Sequence, residues 1–219
     1  MNTHIHLPLR QSYERPRLRM VEEQIVARGI TAPSVLAAMR EVYRHEFVGE
    51  PLLTHAYQDK SLPIGEGQTI SQPFMVARMT ELLELQGHER VLEIGTGCGY
   101  QTAVLSRLCK RVYSIERIET LHELAKANLR KGRHTNVMLR CGDGLLGWED
   151  YAPFDAILVT AGGFASDIWM QQLKVGGYLL LPEGEGRAHK LVRRQKTEDG
   201  FDEEYFDDCT FVPLLAGKV

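Results

Sequence analysis

The sequence has no apolar run long enough to cross a bilayer, and its first twenty residues lack the continuous apolar stretch of a secretory signal. Its four cysteines include no Cys-x-x-Cys pair, which argues against a zinc knuckle or a thioredoxin-type redox site. Internal repeats and low-complexity tracts are absent as well. We therefore expect a cytoplasmic protein with buried, reduced thiols, without a metal centre and without a membrane partner.

Charge of a single sign is also scarce. The formal net charge is −3 over 219 residues, and a basic stretch at 187–196 is followed closely by an acidic one at 198–208. Neighbouring stretches of opposite charge are typical of a solvated face or of the outer side of a hairpin. Because no large basic field is present, we expect no nucleic-acid partner.

What the sequence does contain is an alternation of short apolar runs and amphipathic segments. This pattern predicts a parallel sheet covered by helices on both faces. The fold class is therefore α/β, with a doubly wound, mostly parallel, Rossmann-like sheet. The predicted strands are 90–95, 111–116, 136–142, 154–161 and 176–182, and the predicted helices between them are 100–109, 118–131 and 166–174.

Helices are also predicted before this alternation, near 14–29, from Thr31 onward, and from Pro73 onward. The tail at 190–197 and 208–215 is expected to add two antiparallel edge strands. We divide the chain into residues 1–72 and residues 73–219, and expect one compact unit, since 43% of the residues are hydrophobic.

Residues 45–71 follow no helix or strand period and are rich in turn residues, so we predict a long irregular loop. Loops of this length inside compact domains are often functional.

A glycine-rich turn follows the first predicted strand of the alternation. Gly95, Gly97 and Gly99 leave no Cβ between the backbone and a ligand. The dinucleotide fingerprint would place a further glycine where Tyr100 stands, which disfavours NAD. Taken alone, the motif is equally compatible with a tight strand-to-helix turn that binds nothing.

Acidic residues near this turn favour a nucleoside ligand. Glu116 ends the next strand, where a carboxylate can accept both ribose hydroxyls. Glu93 lies within the strand before the turn, where it would repel a pyrophosphate and suit a ligand with an ammonium and a sulfonium. A Gly-Asp-Gly sequence at 142–144 follows the third strand. Together these features make an empty turn the weaker interpretation.

These segments resemble the class I S-adenosylmethionine-dependent methyltransferases, through LEIGTGCGY, IER, GDG and LKVGGYLLLP. More narrowly, LPIGEGQTISQPFMVARMTELLEL, VLEIGTGCGYQTAVL, FDAILVTAG and FVPL resemble the protein-L-isoaspartate (D-aspartate) O-methyltransferase family. The resemblance implies methyl transfer from S-adenosyl-L-methionine to the free α-carboxyl of L-isoaspartyl residues, and of D-aspartyl residues as a further substrate, in damaged proteins. It also implies a monomer.

The resemblance further implies that Ser71 is the active-site serine and that residues 1–72 include a flexible cover over the cofactor. From the sequence alone, an N-cap of the helix at Pro73 is an alternative role for Ser71. The residues implied to bind the cofactor are Thr69, Ile70 and Ser71 beside it, Glu93, Gly95 and Gly97 at its methionine part, Glu116 at its ribose, and Asp143 with Gly144 at its adenine.

Two positions depart from the family pattern. Phe74 stands where many members have histidine, and the loop 160–166 contains Phe164 and lacks a proline. The family loop faces the peptide, so these departures concern substrate preference. Two other functions remain open at this stage, namely a methyltransferase acting on a small molecule or RNA and a cofactor-binding module without catalysis.

Overall fold

The structure, a computed structural model, describes residues 11–219. Its α-helices are α1 (Glu14–Met20), α2 (Pro33–Glu41), α3 (Pro73–Leu82), α4 (Tyr100–Leu105), α5 (Glu119–Lys131) and α6 (Asp167–Gln172). Its strands are β1 (Leu62–Gly65), β2 (Gln68–Ile70), β3 (Arg90–Ile94), β4 (Arg111–Glu116), β5 (Val137–Cys141), β6 (Phe154–Val159), β7 (Leu173–Glu183), β8 (His189–Lys196) and β9 (Phe201–Cys209).

Seven strands form one sheet in the order β5-β4-β3-β6-β7-β8-β9. Strands β3 to β7 are parallel, and β8 and β9 are antiparallel additions at one edge. The chain runs outward from β3 to β5 and then crosses to β6 on the other side of β3. The carboxyl ends of β3 and β6 therefore flank the switch point, where open α/β sheets bind ligands. The predicted fold class is confirmed.

Both faces of the sheet are covered, which explains why its central strands are apolar along their length. On one face, a cluster extending from Met20 to Leu129 packs the N-terminal helices, α3, α4 and α5 together. On the other face, Phe154, Trp148 and Trp169 belong to a second cluster. The N-terminal helices thus share a core with the segments that follow residue 73.

The predicted helix near 14–29 is confirmed in extent, although only its first part is α-helical. A π-helical turn at Val21–Ile25 and a 3₁₀ turn at Val26–Arg28 continue α1, and Gly29 ends it with φ +92°. The predicted helix at 100–109 is shorter, since α4 ends at Leu105. The predicted helix at 166–174 ends at Gln172, because β7 begins directly at Leu173.

The prediction that residues 45–71 are irregular is wrong at their end. Strands β1 and β2 form an antiparallel hairpin in which Leu62 pairs with Ile70, and both side chains are buried. These strands are too short and too polar to show alternation in the sequence.

The chain that leads into this hairpin is attached to a buried arginine. Arg44 is fully buried, and its Nε donates to the carbonyl of Ala56 at 2.8 Å. Its Nη2 donates to the carbonyl of Lys60 at 3.4 Å, and its guanidinium lies 4.9 Å from the centroid of the Tyr100 ring.

The second tail strand was predicted at 208–215, and this is wrong, because β9 occupies Phe201–Cys209. The acidic stretch is itself the strand, and it faces the basic strand β8 through ion pairs of Arg193 with Glu204 and of Arg194 with Glu203. The two charged stretches therefore pair as the two strands of a hairpin, with ion pairs on both of its faces.

The four cysteines are free thiols. Cys98 and Cys109 are buried, whereas Cys141 and Cys209 are half-buried. Between residues 11 and 219, no helix is both long enough and apolar enough to cross a membrane.

Candidate active site

Two neighbouring segments closely approach the glycine turn after β3. The amide of Gly95 donates to the carbonyl of Ile115 at 2.9 Å, and Gly95 has φ +96°. A Cβ at Gly95 would lie 2.4 Å from Oγ1 of Thr160, and a Cβ at Gly97 would lie 3.3 Å from Cδ1 of Ile64. Glycine is required here because β6 and the β1–β2 hairpin both approach the turn.

A cavity of about 650 Å³ lies at the carboxyl ends of the strands, and we call it the strand-end cavity. Its walls come from the glycine turn, the end of β4, the hairpin and the chain segment after β9. Its lining residues are Gln68, Thr69, Ile94, Gly95, Gly97, Ile115, Glu116, Arg117, Ile118, Leu121, Gly144, Thr160, Ala161, Val212, Pro213, Leu214 and Leu215. One acid, several branched apolar side chains and the half-buried backbone of Gly95 and Gly97 suit a nucleoside with a charged tail.

Glu116 lines this cavity and is only 5% exposed. One carboxylate oxygen accepts from the amide of Gly97 at 2.8 Å, and the other accepts from the amide of Ile118 at 3.0 Å. Each oxygen keeps further lone-pair capacity. Glu116 therefore holds the glycine turn in place and can still accept a hydroxyl from the cavity.

The two residues expected at the adenine differ in position. Gly144 lines the cavity, and a Cβ there would lie 2.5 Å from Cγ2 of Ile94. Asp143 is absent from the lining, and its carboxylate accepts from the amides of Leu145 and Gly217 at 2.9 and 2.8 Å. Asp143 thus fixes the chain segment after β9 against the loop that carries Gly144.

Glu93 lies behind the glycine turn and is fully buried, outside the lining of the cavity. Its Oε2 accepts from the hydroxyls of Thr102 at 2.5 Å and Ser114 at 2.6 Å, while its Oε1 has no partner. Burial raises the pKa of Glu93 to about 8, although these two hydrogen bonds lower it. Glu93 therefore does not line the strand-end cavity, and its burial favours the protonated form over the carboxylate that the sequence suggested for a cationic ligand.

Ser71 borders a second, open space of about 1150 Å³, which we call the Ser71 groove. Its other walls include Arg28, Phe74 and the segment from Asp207 to Val212. A smaller space of about 340 Å³, lined by Ile70 and Ser71 among others, separates the groove from the glycine turn.

The N-cap alternative for Ser71 is contradicted. The N-cap of α3 is Gln72, and no side chain caps that end of the helix. The hydroxyl of half-buried Ser71 is consequently free of a helix-capping role.

Thr160 is a site residue that the sequence interpretation missed. It follows β6 and lines the strand-end cavity, the Ser71 groove and the small space between them, as does Thr69. Its hydroxyl lies 2.6 Å from the carbonyl of Gly95 and 3.0 Å from that of Ile94. A polar residue near the carboxyl end of a predicted buried parallel strand was the signal that could have identified it.

The two positions that depart from the family pattern differ in exposure. Phe74 is buried, and the guanidinium of Arg28 lies 3.5 Å from its ring centroid while pairing with Asp59 at 3.2 Å. Phe164 is 59% exposed in the loop after β6. Phe74 therefore supports one wall of the Ser71 groove, whereas Phe164 is available at the surface.

Comparison with known proteins connects this geometry to one family. Residues 16–219 match the family described as protein-L-isoaspartate(D-aspartate) O-methyltransferase. A protein-L-isoaspartate O-methyltransferase 1 of Pelobacter propionicus is 51% identical over 210 residues, which cover 94% of this chain and 98% of that protein. A protein-L-isoaspartate O-methyltransferase of Pseudomonas paraeruginosa is 47% identical over 210 residues, with the same coverage of both chains.

Solved structures agree in fold. A protein-L-isoaspartate O-methyltransferase structure superposes with a TM-score of 0.81 at 30% identity, covering 91% of this chain and 65% of that one. A structure from Plasmodium falciparum in complex with S-adenosyl-L-homocysteine gives a TM-score of 0.80 at 24% identity, covering 91% and 98% of the two chains. The second likeness supports the fold alone.

Proposed function

The chain belongs to the protein-L-isoaspartate(D-aspartate) O-methyltransferase family, and we propose that its reaction takes place where the Ser71 groove meets the strand-end cavity. The enzyme transfers a methyl group from S-adenosyl-L-methionine to the free α-carboxyl of L-isoaspartyl residues in damaged proteins and so initiates their repair. D-aspartyl residues are included in the proposal. The observation that carries it is that Thr69 and Thr160 line both spaces, so two ligands bound there would meet.

The residues of the strand-end cavity fit S-adenosyl-L-methionine. Glu116 would accept the ribose hydroxyls, and Gly144 would lie against the adenine. Gly95 and Gly97 would let the methionine part approach the backbone, with Thr69 and Ile70 beside it. Asp143 would support the cofactor site indirectly, by holding the chain segment after β9 in place. Glu93 would support it from behind the glycine turn, where one of its carboxyl oxygens has no hydrogen-bond partner.

Methyl transfer to this substrate requires no general base. A main-chain α-carboxyl ionises near pH ~3.5, so it is already an anion at neutral pH. When bound, S-adenosyl-L-methionine supplies an electrophilic methyl group on a sulfonium. A carboxylate oxygen would form the new bond to that methyl carbon while the bond from carbon to sulfur breaks, and S-adenosyl-L-homocysteine would leave with that electron pair. No proton has to leave the substrate. In keeping with this, no described histidine lines the strand-end cavity, the Ser71 groove or the space between them.

Ser71 would orient the carboxylate by donating its hydroxyl hydrogen to the oxygen that does not react. The hairpin that carries Thr69 would keep water away from the reacting atoms. Orientation of this kind supplies up to about 7–11 kcal/mol in ideal intramolecular systems, and a protein site attains part of it.

We also propose that the enzyme works as a monomer in the cytoplasm, without a nucleic-acid or membrane partner. A net charge of −3 and four free thiols support this proposal.

The test uses two synthetic peptides that differ only in containing isoaspartate or aspartate, with methyl-labelled S-adenosyl-L-methionine. We expect methylation of the isoaspartyl peptide alone, because normal aspartate carries its free carboxyl one methylene further from the main chain. Equal labelling of both peptides, or of neither, would reject the repair function.

Ser71→Ala should lower kcat/KM by about 10- to 150-fold, because a hydrogen bond to a charged group contributes about 1.5–3 kcal/mol. The dissociation constant of S-adenosyl-L-methionine should change little. Ser34→Ala, at an exposed position of α2, is the matched control and should leave both quantities unchanged. Full turnover by Ser71→Ala would show that Ser71 does not orient the substrate carboxylate.

A further inference from the structure

Another concave surface lies away from the active site, between α5 and the edge strand β5. Its volume is about 1070 Å³. It shares no lining residue with the strand-end cavity or with the Ser71 groove. We call it the edge groove. Its lining residues are His122, Lys126, Leu129, Arg130, Arg133, His134, Thr135, Val137 and Leu139.

The floor of the edge groove is apolar. Val137 and Leu139 alternate along β5 and therefore point to the same face, beside Leu129 of α5. Both strand residues are only half-buried. Strand β5 ends the sheet, so one row of its backbone groups has no strand partner. Such an edge can pair with an added extended segment.

The rim of the edge groove is cationic. Lys126 is paired with Glu123 at 3.1 Å, whereas Arg130 and Arg133 form no ion pair within residues 11–219. No Asp or Glu of the described chain lines the groove. Burial and the nearby charge of Arg107 lower the pKa of His134 to about 4, so the fixed positive charge comes from the lysine and the two arginines.

Part of this charge has a local explanation, because cations near the last turn of α5 complement the helix dipole. Arg130 lies in that turn, but Arg133 lies two residues beyond the end of the helix. The dipole therefore does not account for a second exposed arginine beside an apolar floor. In a chain of net charge −3, this is a local concentration of positive charge.

We propose that the edge groove docks an acidic, extended segment of the protein substrate, with apolar side chains on the floor and carboxylates at Arg130 and Arg133. The identity of this occupant as a substrate rests on the proposed function. A polypeptide fits better than a nucleic acid, because the groove runs along an unpaired strand edge and its lining has no Phe, Tyr or Trp on which a base could stack. A segment held here would keep the damaged protein bound to the enzyme without occupying the Ser71 groove.

A binding experiment tests the surface directly. The probe is a fluorescent peptide of alternating Glu and Leu without isoaspartate, titrated with the full-length protein at low salt. We expect Arg130→Glu/Arg133→Glu to weaken binding by about tenfold or more, because each exposed charge pair contributes up to ~1 kcal/mol and reversal makes it repulsive. Arg187→Glu/Lys190→Glu makes the same change in net charge at exposed positions beside β8, on the other side of the sheet from β5, and should bind as the unaltered protein does.

A second experiment tests the role in catalysis. A short neutral isoaspartyl peptide is compared with the same peptide joined to the Glu–Leu segment by a flexible linker of roughly 20 residues, which spans up to about 70 Å. The extension should lower KM by about tenfold at low salt and less at high salt, with kcat unchanged. Arg130→Glu/Arg133→Glu should lose this advantage while methylating the short peptide normally.

The outcomes separate the two proposals. If the unaltered protein does not methylate the short peptide, the proposed function is wrong. The binding experiment would still decide separately whether the edge groove binds an acidic segment. Equal binding of the acidic peptide by both double variants would overturn the docking proposal. Preference of the edge groove for an RNA oligonucleotide or for phosphatidylserine vesicles over the acidic peptide would also overturn it.

Discussion

Glu93 predicts an unusual dependence of stability on pH. It is fully buried, two hydroxyls donate to one of its oxygens, and its other oxygen has no partner. Burial raises the pKa of Glu93 from 4.5 to about 8. Between these values the folded state keeps a proton that the unfolded chain has already released. We therefore expect the contribution of Glu93 to the free energy of unfolding to fall as pH rises from about 5 to about 8.

The magnitude follows from the linkage between proton binding and folding. For one group, the slope reaches about 1.4 kcal/mol per pH unit where the folded state is protonated and the unfolded state is not. The contribution is fully present below the unfolded pKa and is lost as pH rises through the folded pKa. His134 acts in the opposite direction, because its lowered pKa makes the fold more stable as pH rises toward 6.5.

The assay is urea unfolding of the unaltered protein and of Glu93→Gln from pH 5 to pH 9, without added cofactor. Gln cannot titrate, so the difference between the two curves isolates Glu93 from His134, provided that the two sites are independent. We expect the difference in unfolding free energy to shift in favour of the variant as pH rises to 8 and then to level off. Parallel curves over the whole range would refute a raised pKa at Glu93.

Three further predictions concern the strand-end cavity. Glu116→Ala should weaken the affinity for S-adenosyl-L-methionine by roughly 10- to 150-fold. The control Glu89→Ala removes a similar pair of amide hydrogen bonds elsewhere and should reduce stability but not affinity. Equal affinity of the two variants for the cofactor would place the ribose elsewhere. Gly95→Ala should reduce thermal stability more than Gly87→Ala. Both glycines have φ near +100°, but only at Gly95 would the added Cβ lie 2.4 Å from another atom, Oγ1 of Thr160. Equal losses of stability would contradict the close approach of Thr160, which follows β6. Calorimetry should detect binding of S-adenosyl-L-methionine and none of NAD, and the reverse would reject the cofactor assignment.

The parallel sheet could be predicted because its strands are buried on both faces and appear as apolar runs between amphipathic helices. The β1–β2 hairpin could not, since its strands have four and three residues and its alternation is too brief to recognise. Strand β9 was missed for a different reason. Its acidic residues appear unsuited to a sheet until the ion pairs with β8 are visible.

The arrangement of the candidate site could also be predicted only in part from the sequence. The sequence correctly identified acids near the ends of strands, because such positions converge at the switch point. Whether each carboxylate meets the cavity or a backbone amide depends on residues far away in the chain. Asp143 accepts from the amide of Gly217, and Glu116 at the end of β4 accepts from the amide of Gly97, which follows the neighbouring strand β3. Spacing within one segment carries no information about such partners.

The attachment of Ala56 and Lys60 to buried Arg44 has a thermodynamic consequence for substrate binding. A glycine-rich segment that was free before binding would lose backbone entropy when a peptide arrived, at about 1–2 kcal/mol per residue fixed. Here two carbonyls ahead of the hairpin already accept hydrogen bonds from a fully buried guanidinium. For residues 56–60 that loss of entropy accompanies folding instead, so the affinity for a damaged peptide is not reduced by the ordering of this part of the chain.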